Sequence, residues 1–250
     1  MLISKTNSAD ERCQSAGGGQ TSMITDRQKM ILMTVVNEYI KTAQPVGSQA
    51  VCSTRDFNVS PATLRNELAL LEDNGYLSHP HTSSGRVPTD KGYRFFVDAI
   101  TEERKKGIKK VKNIAGRLNH LKEEEDTLFA ELAMTVASLS RNMVLSGPLG
   151  ARMLFRAGIN EILSQPELED FSLRRHFGHI IDSFEENLGE LSESVGADAP
   201  RVFIGRENPI SAARDFSMIV SRCRLFSDEG VVVIIGPKRM NYQKNLELLN

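Results

Sequence analysis

The sequence predicts an α+β chain, and three observations carry that prediction. Residues 25–100 show helical periods closed by a short two-stranded pattern. A long amphipathic helical pattern follows, and beyond residue 147 strands and helices interleave. With 250 residues, 40% hydrophobic and 25% charged, the chain can bury a sizeable core in one to three small domains. Wholesale disorder is excluded.

Residues 1–22 are rich in Ser, Gln and Gly and hold almost nothing to bury, so they read as a flexible tail. A basic arm is the alternative, but Lys5 and Arg12 supply few charges. A helix then starts at Thr25-Asp26, with Thr25 as cap and Asp26 favoured beside the positive helix end. Ile31, Leu32, Val35, Val36, Tyr39 and Ile40 give it a wide apolar face. Gln44-Pro45-Val46-Gly47 breaks it, and Ser48 caps a second helix, SQAVCSTRDF, that turns Val51 and Cys52 inward. Ser48 and Gln49 at that start either meet a DNA phosphate or serve the cap alone.

Ser60 and Pro61 open the third helix as N-cap and first helical residue. Leu64, Leu68 and Leu71 fall on one stripe, and Asn74-Gly75 is the stop. Thr63, Arg65 and Asn66 lie off the stripe, near the helix start. Tyr76-Leu77 then reads as a short strand, His79 to Gly85 as a polar tip, and Arg86-Val87-Pro88 as the return. Thr89 caps a further helix carrying Tyr93, Phe95, Phe96 and Val97. Two helices, a turn, a capped third helix and a ribbon outline a winged helix-turn-helix. In that reading Ser60, Thr63, Arg65 and Asn66 face the major groove and adjacent phosphates. His81, Thr82, Ser83 and Arg86 are the wing contacts. An ordinary helix-turn-strand with a solvated loop has the same outline.

From Thr101 the run EERKKGIKKVK is a charged linker or a helix face, with contact to flanking DNA backbone as the alternative. Residues 114–145 read as one long helix, interrupted by the KEEED block, which completes a helical connector over residues 101–146. Such a helix serves a dimer contact or packs on its own C-terminal domain. Ser146-Gly147-Pro148-Leu149-Gly150 marks the domain boundary, and residues 147–250 form the α+β regulatory or dimerisation domain. Its expected elements are a strand over Arg152–Arg156, the short helix INEIL and a helix capped by Ser172. A strand ending at Gly205, two strands turning at Asp228-Glu229-Gly230 and a closing helix from Tyr242 complete it.

Composition and motifs exclude several classes. Net charge is −1, so DNA affinity rests on locally placed cations rather than overall basicity. Three dispersed cysteines give neither a zinc pattern nor a disulfide framework and suit a reducing cytosol, so the chain is expected to be cytoplasmic. No apolar run is long enough for a bilayer, so no membrane segment is expected. VVVIIGPKRM lacks phosphate-loop spacing, and Pro237 removes an amide such a loop uses, leaving Lys238 and Arg239 to cap or pair locally. His176 and His179 share a helix face without further ligands, which suits a solvated face better than a metal pair. No nucleophile motif occurs, so no enzyme, cofactor or metal is expected.

The residues themselves add a resemblance. VGSQ, VSPATLRNELALLEDNGYL and HPHTSSGRVPTDKGYRFFVD closely resemble the N-terminal domain of the HrcA family of heat-inducible transcription repressors. The match is near-continuous from Val59 to Asp98. It resumes over Gly158–Asp170 and again over Ile204–Leu249, in IGREN and IIGPKRMNYQKNLELL. The resemblance implies a homodimeric repressor of chaperonin and DnaK operons that binds an inverted-repeat operator (the CIRCE element) and is relieved by heat. It also implies the chaperonin GroEL as the partner that maintains active repressor. The C-terminal region resembles a truncated GAF-like and dimerisation region, because the stretch before Arg152 is short for the family. On warming, that domain is expected to unfold first. Two alternatives stand beside this: a winged-helix regulator of another signal, and a protein-interaction module without DNA binding.

Overall fold

The computed structural model describes residues 24–54, 57, 59–80, 85–106, 125–149, 154–181, 199–225 and 228–249. The first helix, α1, is Asp26–Thr42. Its start is a reciprocal capping box. Gln28 N–H donates to Thr25 Oγ1 at 3.2 Å, and Thr25 N–H donates to Gln28 Oε1 at 2.9 Å. Replacing Thr25 with alanine is expected to cost about 1 kcal/mol, read from the urea midpoint at unchanged slope.

Helix α2 is Ser48–Thr54 and α3 is Pro61–Asp73. Ser60 Oγ accepts from Thr63 N–H at 3.1 Å, as its sequence position predicts. Leu64, Leu68 and Leu71 are fully buried. The chain leaves α3 through Gly75 at φ +74°, a left-handed conformation that glycine enters without a Cβ clash. Strands β1 (Leu77–Ser78) and β2 (Val87–Pro88) then pair antiparallel. Val46 joins the ribbon, exchanging two 2.9 Å backbone hydrogen bonds with Arg86. Helix α4, Asp90–Lys106, is capped by Thr89, whose Oγ1 accepts from Gly92 N–H at 3.2 Å.

The next helix, α5, is Glu125–Ser140, and it stops short of the expected Leu145. Arg141 takes φ +55°, and Asn142 folds its amide back on the Ser140 carbonyl at 2.7 Å. Met143–Pro148 then becomes strand β3, inside the stretch read as the end of a helix and a domain boundary. Both faces of its sheet are covered, so adjacent apolar residues there carry no alternation that separates strand from helix. Strand β4 is Phe155–Ala157, overlapping the expected strand at Phe155 and Arg156; residues 152 and 153 lie outside the described residues.

Helix α6 is Ile159–Leu163, a 3₁₀ turn covers Pro166–Glu169, and residues 171–181 form α7. Asp170, not Ser172, caps α7: its carboxylate accepts from Ser172 N–H at 2.7 Å and Ser172 Oγ–H at 2.6 Å. Strand β5 is Arg201–Ile204, followed by 3₁₀ turns Gly205–Glu207 and Ser211–Asp215. Strands β6 (Phe216–Leu225) and β7 (Asp228–Pro237) form a long hairpin, and α8 is Tyr242–Leu248. Asp228-Glu229-Gly230 therefore opens β7 rather than forming the turn.

The five strands run β4-β3-β7-β6-β5, all antiparallel. Side chains alternate across the sheet. Val232, Ile234, Ile219 and Ile204 join the core with α5, α8 and the N-terminal helices. Val231, Val233, Ile235 and Met218 pack with Ile162, Leu168, Phe177 and Ile180 on the other face. One apolar cluster thus runs from Leu64, Leu68 and Leu71 through Tyr93 and Val97 to Tyr242 and Leu246.

Tyr93 and Tyr242 meet in that cluster with ring centroids 6.0 Å apart. Burial pushes both phenols above their ordinary value of 10.0. The unfolded chain therefore releases their protons first as pH rises. The stability they contribute is complete below about pH 10 and drains as pH climbs from there through the folded-state values. Urea midpoints are expected to fall between pH 9 and 11, and to fall less steeply in Tyr242→Phe.

Candidate nucleic-acid interface

The N-terminal helices and ribbon form a platform whose outer face is α3. The leucine stripe fixes one side of α3 in the core, which turns Ala62, Arg65, Asn66, Leu70 and Asp73 to solvent. Arg65 and Asn66 are adjacent, exposed, and without a side-chain partner among the described residues. The guanidinium offers paired donors and the amide a donor beside an acceptor, the two arrangements that match guanine and adenine edges.

Helix α3 is braced from below. Gln28 Nε2 donates to Glu67 Oε2 at 3.0 Å, and Arg27 Nη1 lies 3.6 Å from Glu67 Oε1, tying α1 to α3. Ser60 and Thr63 are taken up with each other, their hydroxyls 3.0 Å apart. Ser48 is half-buried and Gln49 exposed at the start of α2.

Arg86 sits differently from a solvent-facing wing contact. Its side chain is only 16% exposed and donates through Nε to Glu72 Oε2 at 3.1 Å. With the Val46 bridge, this pins the ribbon to α3 and to the turn before α2. Arg86→Ala is expected to loosen the ribbon and lower stability by about 1–3 kcal/mol, because Glu72 loses a charged partner. His81, Thr82 and Ser83 lie outside the described residues.

Sequence reasoning missed a second set of polar residues. Lys238 and Arg239 do not pair locally. Lys238 Nζ donates to Asp90 Oδ1 at 2.8 Å, 148 positions away, and Arg239 forks onto Glu167. Arg94 forks onto Glu207 and also reaches the Val202 carbonyl at 2.7 Å. Burial works against the Arg94 charge, but Glu207 and Asp98 outweigh it and raise its pKa above the ordinary value. The available signal was the Asp90, Arg94, Asp98 spacing, which places alternating charges on one helix face.

His176 is likewise paired: its Nδ1 is 2.6 Å from Asp215 Oδ2, across to a neighbouring 3₁₀ turn. Among the described residues, no group of three or more His, Cys, Asp or Glu is placed to hold a metal ion. A cleft of about 180 Å³ between α1 and the sheet is lined by Tyr39, Tyr93, Glu167, Asp215, Lys238 and Arg239. Its four charged groups already engage one another or a neighbour. No helix among the described residues is long and apolar enough to cross a membrane.

Comparison with known proteins agrees with this architecture. The family model described as the HrcA protein C terminal domain matches residues 98–246. A protein named heat-inducible transcription repressor HrcA from Thermodesulfovibrio yellowstonii is 27% identical over 333 aligned positions, covering 92% of this chain and 96% of the relative. That alignment is longer than this chain's 250 residues, so the relative carries inserted segments absent here. The protein of the same name from Nocardioides sp. is 39% identical over 188 positions, covering 71% of this chain and 55% of the relative. A crystal structure described as that of a hypothetical protein shares the fold, with TM-score 0.73, 20% identity and coverage of 90% of this chain and 95% of its own. With its family model spanning more than half its length, the chain belongs to the HrcA family.

Proposed function

We propose that residues 23–100 are a winged helix-turn-helix DNA-binding domain and that the protein is a transcriptional repressor of heat-shock chaperone operons. Residues 101–146 are the connector and residues 147–250 the regulatory and dimerisation domain. The observation that carries the reading is α3: a capped helix, seated on three leucines, that turns Arg65 and Asn66 outward beside a pinned ribbon. The Val46–Arg86 bridge supports it, because it fixes the ribbon's angle to α3. The relatives' name, heat-inducible transcription repressor, supports the regulatory half.

In this reading Arg65 and Asn66 contact base edges. Ser60, Thr63, Ser48 and Gln49 meet flanking phosphates, and the tip with His81, Thr82 and Ser83 follows the backbone. Arg86 holds the wing in place through Glu72. A homodimer presents two α3 helices to the half-sites of an inverted repeat. A GroEL-type chaperonin sustains the active form, and heat, by occupying the chaperonin, relieves repression.

The test is a gel shift with the organism's own chaperonin promoter, with and without GroEL, against a scrambled half-site. Specific retention strengthened by GroEL is expected. Specific retention indifferent to GroEL moves regulation to another signal. Folded protein that does not distinguish the promoter from the scrambled site, with GroEL present, would sink the operator reading.

A further inference from the structure

The charged residues that bind the N-terminal unit to the sheet form one joint. Asp90 and Arg94 lie one turn apart on α4 and hold different elements. Asp90 engages Lys238 in the turn after β7, while Arg94 engages Glu207 in the turn after β5. A third anchor sits on another helix. Arg239 Nη1 donates at 3.3 Å to the Ile40 carbonyl, near the end of α1, while the same guanidinium grips Glu167 and Gln165. That carbonyl belongs to the last turn of α1, where a cation also suits the helix dipole.

The fit around Asp90 is close. Gly205 has φ +54°, and a Cβ on it would lie 2.1 Å from Asp90 Oδ2. The Asp90 carboxylate occupies that space and faces the Arg206 amide at 3.3 Å. At the far end of α4, Arg104 Nη2 donates to the Leu246 carbonyl at 3.0 Å.

Apolar burial holds these parts together but has no direction, so it leaves their angle loosely set. Forked arginine–carboxylate pairs do have direction. Anchors on α1 and α4 together block rotation about either helix axis. We infer that Asp90, Arg94, Lys238, Glu207 and Arg239 are positioning residues for DNA reading, fixing the angle of α3 relative to the sheet and hence the half-site spacing the protein accepts. The inference rests on α3 being the DNA-contacting helix.

In a symmetric dimer, tight binding to two half-sites requires both reading helices to arrive in register. A loosened joint leaves each helix able to read its half-site but removes the pre-set alignment that links the two events. Contacts made by one α3 do not depend on the joint. The joint therefore acts on the full repeat and spares the half-site.

The experiment measures affinity of the full chain for three duplexes from its chaperonin promoter. These are a single half-site, the full repeat, and the repeat with spacing changed by one or two base pairs. For Asp90→Ala, Arg94→Ala and Lys238→Ala, half-site affinity is expected to stay within about twofold of wild type. Full-repeat affinity falls about tenfold or more, and the spacing preference flattens. Lys238→Arg, which keeps a cation opposite Asp90, is expected to retain most of both. Should Asp90→Ala melt too low for binding to be read, Lys238→Met on its surface turn provides the same comparison, since Lys238 is 30% exposed.

Wild-type affinity and spacing preference in these variants would overturn the positioning role while leaving the DNA reading intact. Equal loss on half-site and full repeat would overturn it too, because the residues would then support α3 itself. A wild-type protein with no preference for the half-site over scrambled DNA removes the DNA reading and the joint's role together.

Discussion

Replacing Arg65 or Asn66 with alanine is expected to erase most of the protein's sequence preference while leaving its fold intact. Each side chain is exposed on α3, so truncation opens no cavity and strands no buried group. A bidentate Arg–guanine or Asn–adenine contact discriminates by about 1–3 kcal/mol, a factor of about five to 150 in relative affinity for the correct base. In a dimer both half-sites lose the contact, so the effect on the full repeat is about twice that in free energy. The two substitutions differ in salt response. Asn66→Ala removes a neutral group and leaves the slope of affinity against salt unchanged. Arg65→Ala lowers that slope only to the extent that the guanidinium also neutralises a phosphate. The measurement is binding to operator and scrambled duplex across a salt series. A specificity ratio unchanged in both variants would remove α3 from base reading. Arg86→Ala is the contrasting control: its guanidinium is held by Glu72, so its loss is expected to lower stability without shifting base preference.

The parts of this architecture legible in the sequence are those fixed by neighbouring residues. Thr25, Ser60 and Thr89 were readable as caps because a cap is a contact over about three residues. The α3 leucine stripe was readable because burial repeats with the helical period. Long-range consequences were not. The run through Leu145 keeps a helix-compatible pattern into β3, since the sheet buries both faces and Val144 and Leu145 enter different cores. The stop at Arg141 uses a left-handed conformation on a non-glycine residue, which no composition signal announces.

At the candidate site the same division holds. That Arg65 and Asn66 are exposed on α3 was readable from their position off the stripe, a local fact. Arg86 was read as a wing contact, its pairing with Glu72 of α3 not being visible in the sequence, and Lys238 and Arg239 as local caps or pairs, their carboxylates being 148 and 72 positions away. Charge type is visible in a sequence; the partner that uses the charge is set by topology.

Tyr242→Ala is expected to destabilise helices α1–α4 as well as the sheet, by about 3–5 kcal/mol in one cooperative transition. Tyr242 is fully buried, its ring lies beside Tyr93 of α4, and its hydroxyl is 2.8 Å from Ser217 Oγ and 2.5 Å from the Lys238 carbonyl. Truncation opens a ring-sized cavity and leaves Ser217 without that partner. Because this cluster continues through Tyr93 and Val97 to the α3 leucines, the cost is shared across the chain. That continuity argues against the sheet domain yielding first on warming, as the sequence suggested, since melting the sheet would expose the inner side of α4. Ion pairs at the joint lose less of their net contribution with temperature than their room-temperature balance implies, which also favours the two parts melting together. Calorimetry is expected to give one transition for wild type and one, at lower temperature, for Tyr242→Ala, with amide protection falling in α3 and β6 alike. A variant that loses protection in the sheet while α3 keeps its wild-type exchange rates would show that the N-terminal unit folds alone, and heat would then act on the sheet domain without touching α3.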